Sequence, residues 1–171
     1  DDIYGRLVYN GNTFTPISSL SDAIRKQTIV INGVSKTYAM TGWRVGFAVG
    51  DTEIISGMAK IISQTTSNLT AVSQYAAIEA LTGDQSSIEE MRQAFEERLN
   101  TIYPLLAEVP GFEVIKPQGA FYLFPNVKKA MEIKGYTNVN DFTNAILEEA
   151  EVALVTGAGF GAPENIRLSY A

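Results

Sequence analysis

Short apolar runs separated by turn residues dominate the first part of the chain. Runs rich in Val, Ile, Thr and Tyr that are bounded by such turns are typical of β-strands. The pattern predicts strands at 6–9, 28–31 and 45–49, with an Asn-Gly-Asn turn at 10–12. We therefore expect the chain to begin with elements of a sheet.

A helical spacing of apolar residues replaces this pattern further along the chain. It predicts two helices within 52–81, the second of which ends at Gly83. A long amphipathic helix should follow, because Ser86 and Glu89 have the spacing of a capping box. Pro104 is expected to kink this helix or to end it. The apolar face of the helix comprises Ile88, Met91, Phe95, Leu99 and Ile102.

The last part of the chain mixes both patterns. It predicts strands at 112–115, 120–124, 152–155 and 166–170, and a helix whose apolar face runs over 142–150. Interleaved strands and helices indicate the α/β class, with helices that cover the faces of a sheet.

Composition and charge narrow the function. The chain has 13 Lys and Arg against 19 Asp and Glu, a net charge of -6, and no basic cluster longer than Lys128-Lys129. Binding to nucleic acid or to an acidic membrane surface is therefore not indicated. No apolar run approaches the roughly 20 residues that a membrane helix needs, so the expected location is cytoplasmic.

Cysteine and histidine are both absent. Disulfides, thiol catalysis, His-based triads and the usual zinc sites are excluded, so no metal site is expected. Any proton transfer near neutral pH must then use a lysine, a tyrosine or a carboxylate.

The most informative segment is 33–46, with the sequence GVSKTYAMTGWRVG. Lys36 follows a predicted buried strand, and Arg44 comes eight residues later. An amine at a strand end among apolar and aromatic neighbours is partly withdrawn from water, which favours its nucleophilic form. The alternative interpretation is that both cations lie on the surface beside a loop.

This segment resembles the lysine signature of the class I aminotransferases, enzymes of fold type I that use pyridoxal 5'-phosphate (PLP). The resemblance implies that Lys36 forms a Schiff base with PLP and that Arg44 anchors the phosphate, for which a planar guanidinium is well suited. Members of the family often have serine three residues before the lysine, where this chain has Gly33. One hydrogen bond to the phosphate is then expected to be absent.

Two further segments resemble elements of the same family. Residues 1–4, Asp-Asp-Ile-Tyr, resemble its D-x-x-Y element. That similarity implies that Asp1 pairs with the pyridinium nitrogen and that Tyr4 donates to the phenolic oxygen of the ring. In the Ile-Arg-Leu-Ser-Tyr segment 166–170, the resemblance implies that Arg167 binds the α-carboxylate of the substrate. The alternatives for Arg167 are an ion pair with a structural carboxylate or an exposed position at a sheet edge.

Two other segments carry weaker signals. Residues 157–162 match a G-x-G-x-x-A dinucleotide fingerprint after a predicted strand, but Pro163 and the strand that follows leave no room for the required helix. We expect this loop to shape the pocket. The segment 117–122 resembles one near the substrate pocket of the family, and its aromatic residues are expected to be core rather than contact residues.

The resemblance as a whole implies part of the PLP-binding large-domain sheet in 1–75, followed by a truncated α+β small domain in 76–171. The implied reaction moves an amino group between an amino acid, aspartate or an aromatic one, and a 2-oxo acid, and the implied full-length protein is a homodimer. Family members are longer, so we expect a C-terminal portion that is inactive in isolation. The alternatives are another fold-type I enzyme, such as a C–S lyase or a synthase, and a non-catalytic aminotransferase-like domain of a regulator.

Overall fold

A computed structural model describes all residues from 1 to 171. The chain divides into two compact units, Asp1–Arg92 and Gln93–Ala171. Helices and β-strands are interleaved in it, which confirms the predicted α/β class. The boundary predicted between residues 75 and 76 refers to the domains of the family and stays a prediction.

The first unit contains a two-stranded antiparallel ladder. Strand β1, Val30–Gly33, pairs with β2, Gly46–Val49. A short helix that the sequence analysis did not predict, α1 (Asp22–Lys26), precedes β1, and Ser21 caps it by accepting from the Ile24 N–H at 3.2 Å. The strands predicted at 28–31 and 45–49 are thus confirmed with shifted bounds.

The strand predicted at 6–9 is wrong. The segment forms turns with one isolated bridge residue, Val8, although Leu7 and Tyr9 are fully buried. Its apolar pattern reflects burial of alternate side chains, and burial alone does not supply a neighbouring strand.

Two helices follow β2, as predicted. Helix α2, Thr52–Thr65, is capped by Asp51, which accepts from the Glu53 N–H at 2.9 Å. Helix α3, Ala71–Thr82, is capped by Thr70 and ends at Gly83. Several apolar side chains of these helices are largely exposed, among them Val72 and Tyr75. The core of the first unit comprises Val34, Val45 and Ala77, with Tyr38 and Met40 packed against it.

The long predicted helix, α4, spans Ser86–Ala107. Its start differs from the predicted capping box, because Ser86 is itself helical and donates its N–H and hydroxyl to the Asp84 carboxylate. Glu89 forms an ion pair with Arg92 at 2.8 Å. The helix continues past Pro104 by three residues.

The second unit is built on a three-stranded antiparallel sheet in the order β3-β5-β4. The strands are β3 (Tyr122–Leu123), β4 (Val155–Thr156) and β5 (Ile166–Ser169). Helices α5 (Lys128–Lys134) and α6 (Val139–Ala150) complete the unit. Its core comprises Val127, Ala130, Met131, Val139, Phe142 and Ile166.

The strand predicted at 112–115 is wrong, because the segment contributes only a single bridge between Glu113 and Asn126. The strand predicted at 152–155 overlaps the observed β4, Val155–Thr156, at one residue only. Helix α5 was not predicted, since its seven residues are too few for a clear helical period. None of the helices combines the length and apolar character that crossing a bilayer requires.

Two isoleucines test where the core of the second unit lies. Ile166 is fully buried, whereas Ile115 is 90% exposed. We expect Ile166→Ala to lower the free energy of unfolding by about 3 kcal/mol, because it leaves a cavity. The matched Ile115→Ala control should change it by less than about 0.5 kcal/mol. Urea unfolding of both variants measures the difference, and equal losses would contradict this description of the core.

Candidate active site

A closed loop between β1 and β2 carries the lysine and the arginine of the signature segment. Beyond the last pair of the ladder, the Val34 N–H donates to the Val45 carbonyl at 3.3 Å. Lys36 lies two residues after Val34, and Arg44 lies one residue before Val45. Strand pairing therefore brings the backbones of these two cationic residues to the same end of the hairpin.

Lys36 is half-buried and lies beside an aromatic ring. Its Nζ is 5.9 Å from the centroid of the Tyr4 ring, which is also half-buried. The Ala39 N–H donates to the Lys36 carbonyl at 3.3 Å, so the lysine begins a turn. A primary amine in such a partly buried position can attack the carbonyl of a small molecule.

Arg44 is exposed and has an unusual backbone conformation. Its φ of 57° and ψ of 48° lie in the left-handed region, where non-glycine residues are uncommon. One guanidinium nitrogen donates to the Thr41 carbonyl at 2.9 Å, and the side chain has no other hydrogen bond or ion pair with the chain. Strained residues of this kind collect at ligand-binding sites. The remaining N–H donors are available to an anion.

The first residues of the chain run beside β1. The Asp2 N–H donates to the Ile31 carbonyl at 2.8 Å, and the Leu7 N–H donates to the Tyr4 carbonyl at 2.9 Å. These bonds fold the segment into turns that place the Tyr4 ring near Lys36.

Asp1 is exposed, and its carboxylate accepts from the Ile3 N–H at 3.0 Å. The first unit therefore contains four of the predicted site residues, of which Lys36 and Tyr4 are in contact. The role of each in cofactor binding stays a prediction.

Gly33 lies where β1 and β2 come too close for a side chain. A Cβ there would lie 2.7 Å from the Val45 carbonyl oxygen and 3.2 Å from the Gly46 Cα. Any side chain at this position would push β1 away from β2. The close approach of the two strands thus favours glycine at this position, three residues before Lys36.

A hydrogen-bond relay connects the loop that carries Lys36 to the end of α3. The Tyr38 hydroxyl donates to Gln85 Oε1 at 3.1 Å, and Gln85 Nε2 donates to the carbonyls of Ala80 at 3.0 Å and Gly83 at 2.9 Å. Tyr38 lies two residues after Lys36, so this relay fixes the loop to the end of α3. The sequence analysis did not single out Gln85, because its role depends on a contact between distant residues.

Arg167 lies on β5, the central strand of the second unit. It is half-buried, and its guanidinium makes no hydrogen bond or ion pair with the chain. Its contacts are two aromatic rings, with Cζ 4.6 Å from the centroid of Tyr122 and 4.8 Å from that of Phe160. The structure thus favours neither alternative for this arginine, the structural ion pair or full exposure. Arg167 and Lys36 lie in different compact units.

The sequence analysis missed the two aromatic partners of Arg167. It grouped the aromatic residues of 117–122 with the core, and Phe121 does pack on Phe95 with centroids 5.4 Å apart. Tyr122 instead faces the guanidinium. Strand alternation between β3 and β5 could have indicated Tyr122, whereas no local signal points to Phe160.

Tyr170 anchors the end of the strand that carries Arg167. Its N–H donates to the Phe121 carbonyl at 3.0 Å, its hydroxyl donates to the Ala120 carbonyl at 3.2 Å, and its carbonyl accepts from Arg98 at 3.4 Å. Burial raises the pKa of the Tyr170 hydroxyl to about 12. The hydroxyl therefore stays protonated and keeps its hydrogen bond throughout the neutral range.

The glycine-rich loop 157–162 does not lead into an α-helix. It forms a 3-10 turn, Gly157–Phe160, and bends at Gly161 with a φ of 75° before β5 begins. A Cβ at Gly157 would overlap the carbonyl oxygens of Ala162 and Asn165. These glycines thus allow the chain to turn back tightly into β5. A dinucleotide-binding fingerprint would instead lead into a helix.

Comparison with known proteins agrees with this geometry. The family model described as "Aminotransferase class I and II" matches residues 1–171. An asparagine–oxo-acid transaminase of Streptococcus mutans serotype c is 78% identical over 171 residues, and an aspartate aminotransferase of Bacillus subtilis is 54% identical. In both cases all of this chain aligns with 44% of the relative, so the chain spans less than half the length of these proteins.

Solved structures give the same result. The aspartate aminotransferase of Rhizobium meliloti matches with a TM-score of 0.89 and 36% identity, over 99% of this chain and 44% of that one. An aromatic aminotransferase of Pyrococcus horikoshii matches with a TM-score of 0.89 and 34% identity, over the same shares.

Two glycines of the loop region provide a matched test of the closure between β1 and β2. We expect Gly33→Ser to lower the free energy of unfolding by about 1–3 kcal/mol, because its Cβ meets the backbone of β2. A Cβ at Gly42 meets nothing within 4 Å. Gly42→Ser should therefore change stability by less than about 0.5 kcal/mol. Urea denaturation compares the two variants, and a Gly33→Ser protein as stable as the control would refute the tight approach.

Proposed function

This chain belongs to the class I and II aminotransferase family, and from that premise we propose that it supplies the cofactor lysine and the substrate arginine of a PLP-dependent aminotransferase. One observation carries the proposal: the Lys36 amine lies 5.9 Å from the Tyr4 ring, in a loop that strand pairing also closes on Arg44. The proposal concerns the whole protein, because the chain spans 44% of the length of such relatives.

The donor set fits PLP. A primary amine, a guanidinium with unused donors, a phenol and a carboxylate correspond to the aldehyde, phosphate, phenolic oxygen and ring nitrogen of this cofactor, and all four belong to the first unit. When bound, PLP supplies a ring that accepts electrons from the α-carbon of an amino acid.

Lys36 has two tasks in this proposal. Its amine holds the cofactor covalently, and after release it is the base that takes the proton from the substrate Cα. These 171 residues contain no histidine or cysteine, so within this chain the task falls to the lysine. The half-buried turn at Lys36 limits the positions that the amine can reach, which lowers the entropic cost of proton transfer.

The other three residues of the first unit bind the cofactor and adjust its protonation. The unused N–H donors of Arg44 bind phosphate oxygens, and its fixed charge does so over the whole neutral range. Asp1 keeps the ring nitrogen protonated through its negative charge. Tyr4, beside Lys36, donates to the phenolic oxygen. A large-domain part in 1–75 and a small domain in 76–171 belong to the same proposal.

Arg167 binds the substrate carboxylate. Its guanidinium has no carboxylate partner within the chain, so its forked N–H donors can make a bidentate pair with an incoming one. Capture of this carboxylate fixes the orientation of the amino acid, and with it the Cα–H bond.

The amino donor that we propose is aspartate, with 2-oxoglutarate as acceptor. Several relatives carry the name aspartate aminotransferase, including those of Bacillus subtilis and Geobacillus stearothermophilus. A second candidate donor is asparagine, because the relative that is 78% identical is named asparagine–oxo-acid transaminase. These names favour transamination over a lyase, a synthase or a regulator. We also propose that the whole protein is a homodimer in the cytoplasm.

The cofactor is tested by absorbance spectra in the presence of PLP, before and after borohydride. We expect an imine band that borohydride removes and that is absent in Lys36→Ala. Lys60, exposed on α2, is the matched control, and Lys60→Ala should keep the band. A reducible band that persists in Lys36→Ala would assign the cofactor to another amine.

The reaction is tested by the products. With aspartate and 2-oxoglutarate, the whole protein should form oxaloacetate and glutamate, and replacement of aspartate by asparagine decides between the two donors. The 171-residue chain alone should turn over at least about a hundredfold more slowly, because its relatives extend well beyond the matched stretch. Release of pyruvate or ammonia from aspartate would contradict the proposal in favour of a lyase. Equal turnover by the isolated chain would refute the need for the remainder.

A further inference from the structure

We propose that Tyr122 and Phe160 are positioning residues that hold the Arg167 guanidinium ready for a carboxylate. The inference rests on the proposed function, in which Arg167 binds the substrate. It adds two residues that lie outside the signature segments and that reach the substrate only through the arginine.

The sheet of the second unit sets the geometry on one side. Tyr122 is paired with Ser169 across β3 and β5. Side chains two positions apart on a strand share a face, so Ser169 and Arg167 point the same way. Tyr122 is therefore the diagonal neighbour of Arg167 on that face, a distance that an aromatic side chain can cover. The Cζ to centroid distance of 4.6 Å agrees with this.

Burial of the neighbouring residues on β5 fixes the face of the sheet on which Arg167 lies. Ile166 is fully buried in the core, and Leu168 packs against the same cluster. The alternation along β5 thus fixes Arg167 on the face that lies away from the core. On that face the guanidinium has two rings as neighbours and no carboxylate.

The glycine-rich loop supplies the second ring. Phe160 ends the 3-10 turn that follows β4, and the Gly157 N–H donates to the Asn165 carbonyl at 2.7 Å. This bond ties the start of the loop to the residue before β5. Phe160 is 54% exposed. The Arg167 Cζ lies 4.8 Å from the centroid of the Phe160 ring. The ring also makes an edge contact with Phe124, with centroids 6.1 Å apart, so Phe160 contacts both a second ring and the guanidinium.

Two aromatic contacts suit an arginine that must bind an anion. A carboxylate of the chain would occupy the N–H donors and compete with the substrate, whereas a ring contact leaves these donors available. The rings also restrict rotation of a flexible side chain before the ligand arrives, which reduces the entropy lost on binding. Such a contribution is the same in the ground state and the transition state, so it should change KM and leave kcat nearly unaltered.

The first test measures the contact of Arg167 with the rings of Tyr122 and Phe160. In arginine side-chain NMR spectra of the whole protein without substrate, the Nε–H resonance of Arg167 is assigned by its loss in Arg167→Lys. We expect it at high field because of the ring currents of its two neighbours. Phe160→Leu and Tyr122→Leu should each remove part of this shift, while Phe160→Tyr and Tyr122→Phe, which keep the rings, should retain it.

The second test reads the consequence for binding. We expect a KM for aspartate about threefold higher in each leucine variant and about tenfold higher in the double variant, with kcat within about twofold of the wild type. The ring-keeping variants should have KM values near that of the wild type. A merely structural role would lower the melting temperature or the active fraction without this division between KM and kcat.

The outcomes separate this inference from the function on which it rests. An Arg167 resonance at an ordinary position in the wild type, or unchanged KM values in the double leucine variant, would overturn the inference even if the protein is a transaminase. Equal KM increases in the leucine and ring-keeping variants would do the same. A wild type that shows the ring-current shift but no transamination would refute the proposed function and leave the contact of the rings with the guanidinium intact.

Discussion

The close pairing of β1 with β2 is the constraint on which the placement of Lys36 and Arg44 depends. Gly33 allows the strands to approach so closely that a Cβ there would lie 2.7 Å from the Val45 carbonyl oxygen. This pairing closes a loop in which Lys36 follows one strand and Arg44 precedes the other. The backbones of Lys36 and Arg44 therefore lie at the same end of a hairpin. Strand pairing fixes the points from which their two long side chains start.

The placement of Arg167 depends on strand alternation in β5. Ile166 and Leu168 bury one face of the strand against the helices of the second unit, which leaves Arg167 on the other face with two rings beside it. A half-buried cation needs favourable contacts, and here they come from the ring faces. Because no carboxylate of the chain pairs with the guanidinium, its charge is available to a ligand. The same unit thus combines a buried apolar core with an arginine whose contacts are aromatic rings.

Several apolar side chains are exposed on this chain, which is shorter than its relatives. Ile61 on α2 and Val72 and Tyr75 on α3 are 67%, 69% and 74% exposed. The relatives extend well beyond the stretch that the chain matches, which covers 44% of their length.

The amino-acid sequence by itself determined the α/β class, helices α2, α3, α4 and α6, and the segments that contain Lys36, Arg44 and Arg167, because these depend on local periodicity and on residue types that carry the chemistry. The resemblance of those segments led to the family. Only the tertiary structure decided that 6–9 is not a strand, that Ser86 lies inside its helix, that Gln85 braces the lysine loop, and that Phe160 contacts Arg167. Each of these features depends on a partner distant in sequence or on backbone geometry at a helix end. Local pattern carries no information about such partners, since folding alone brings them together.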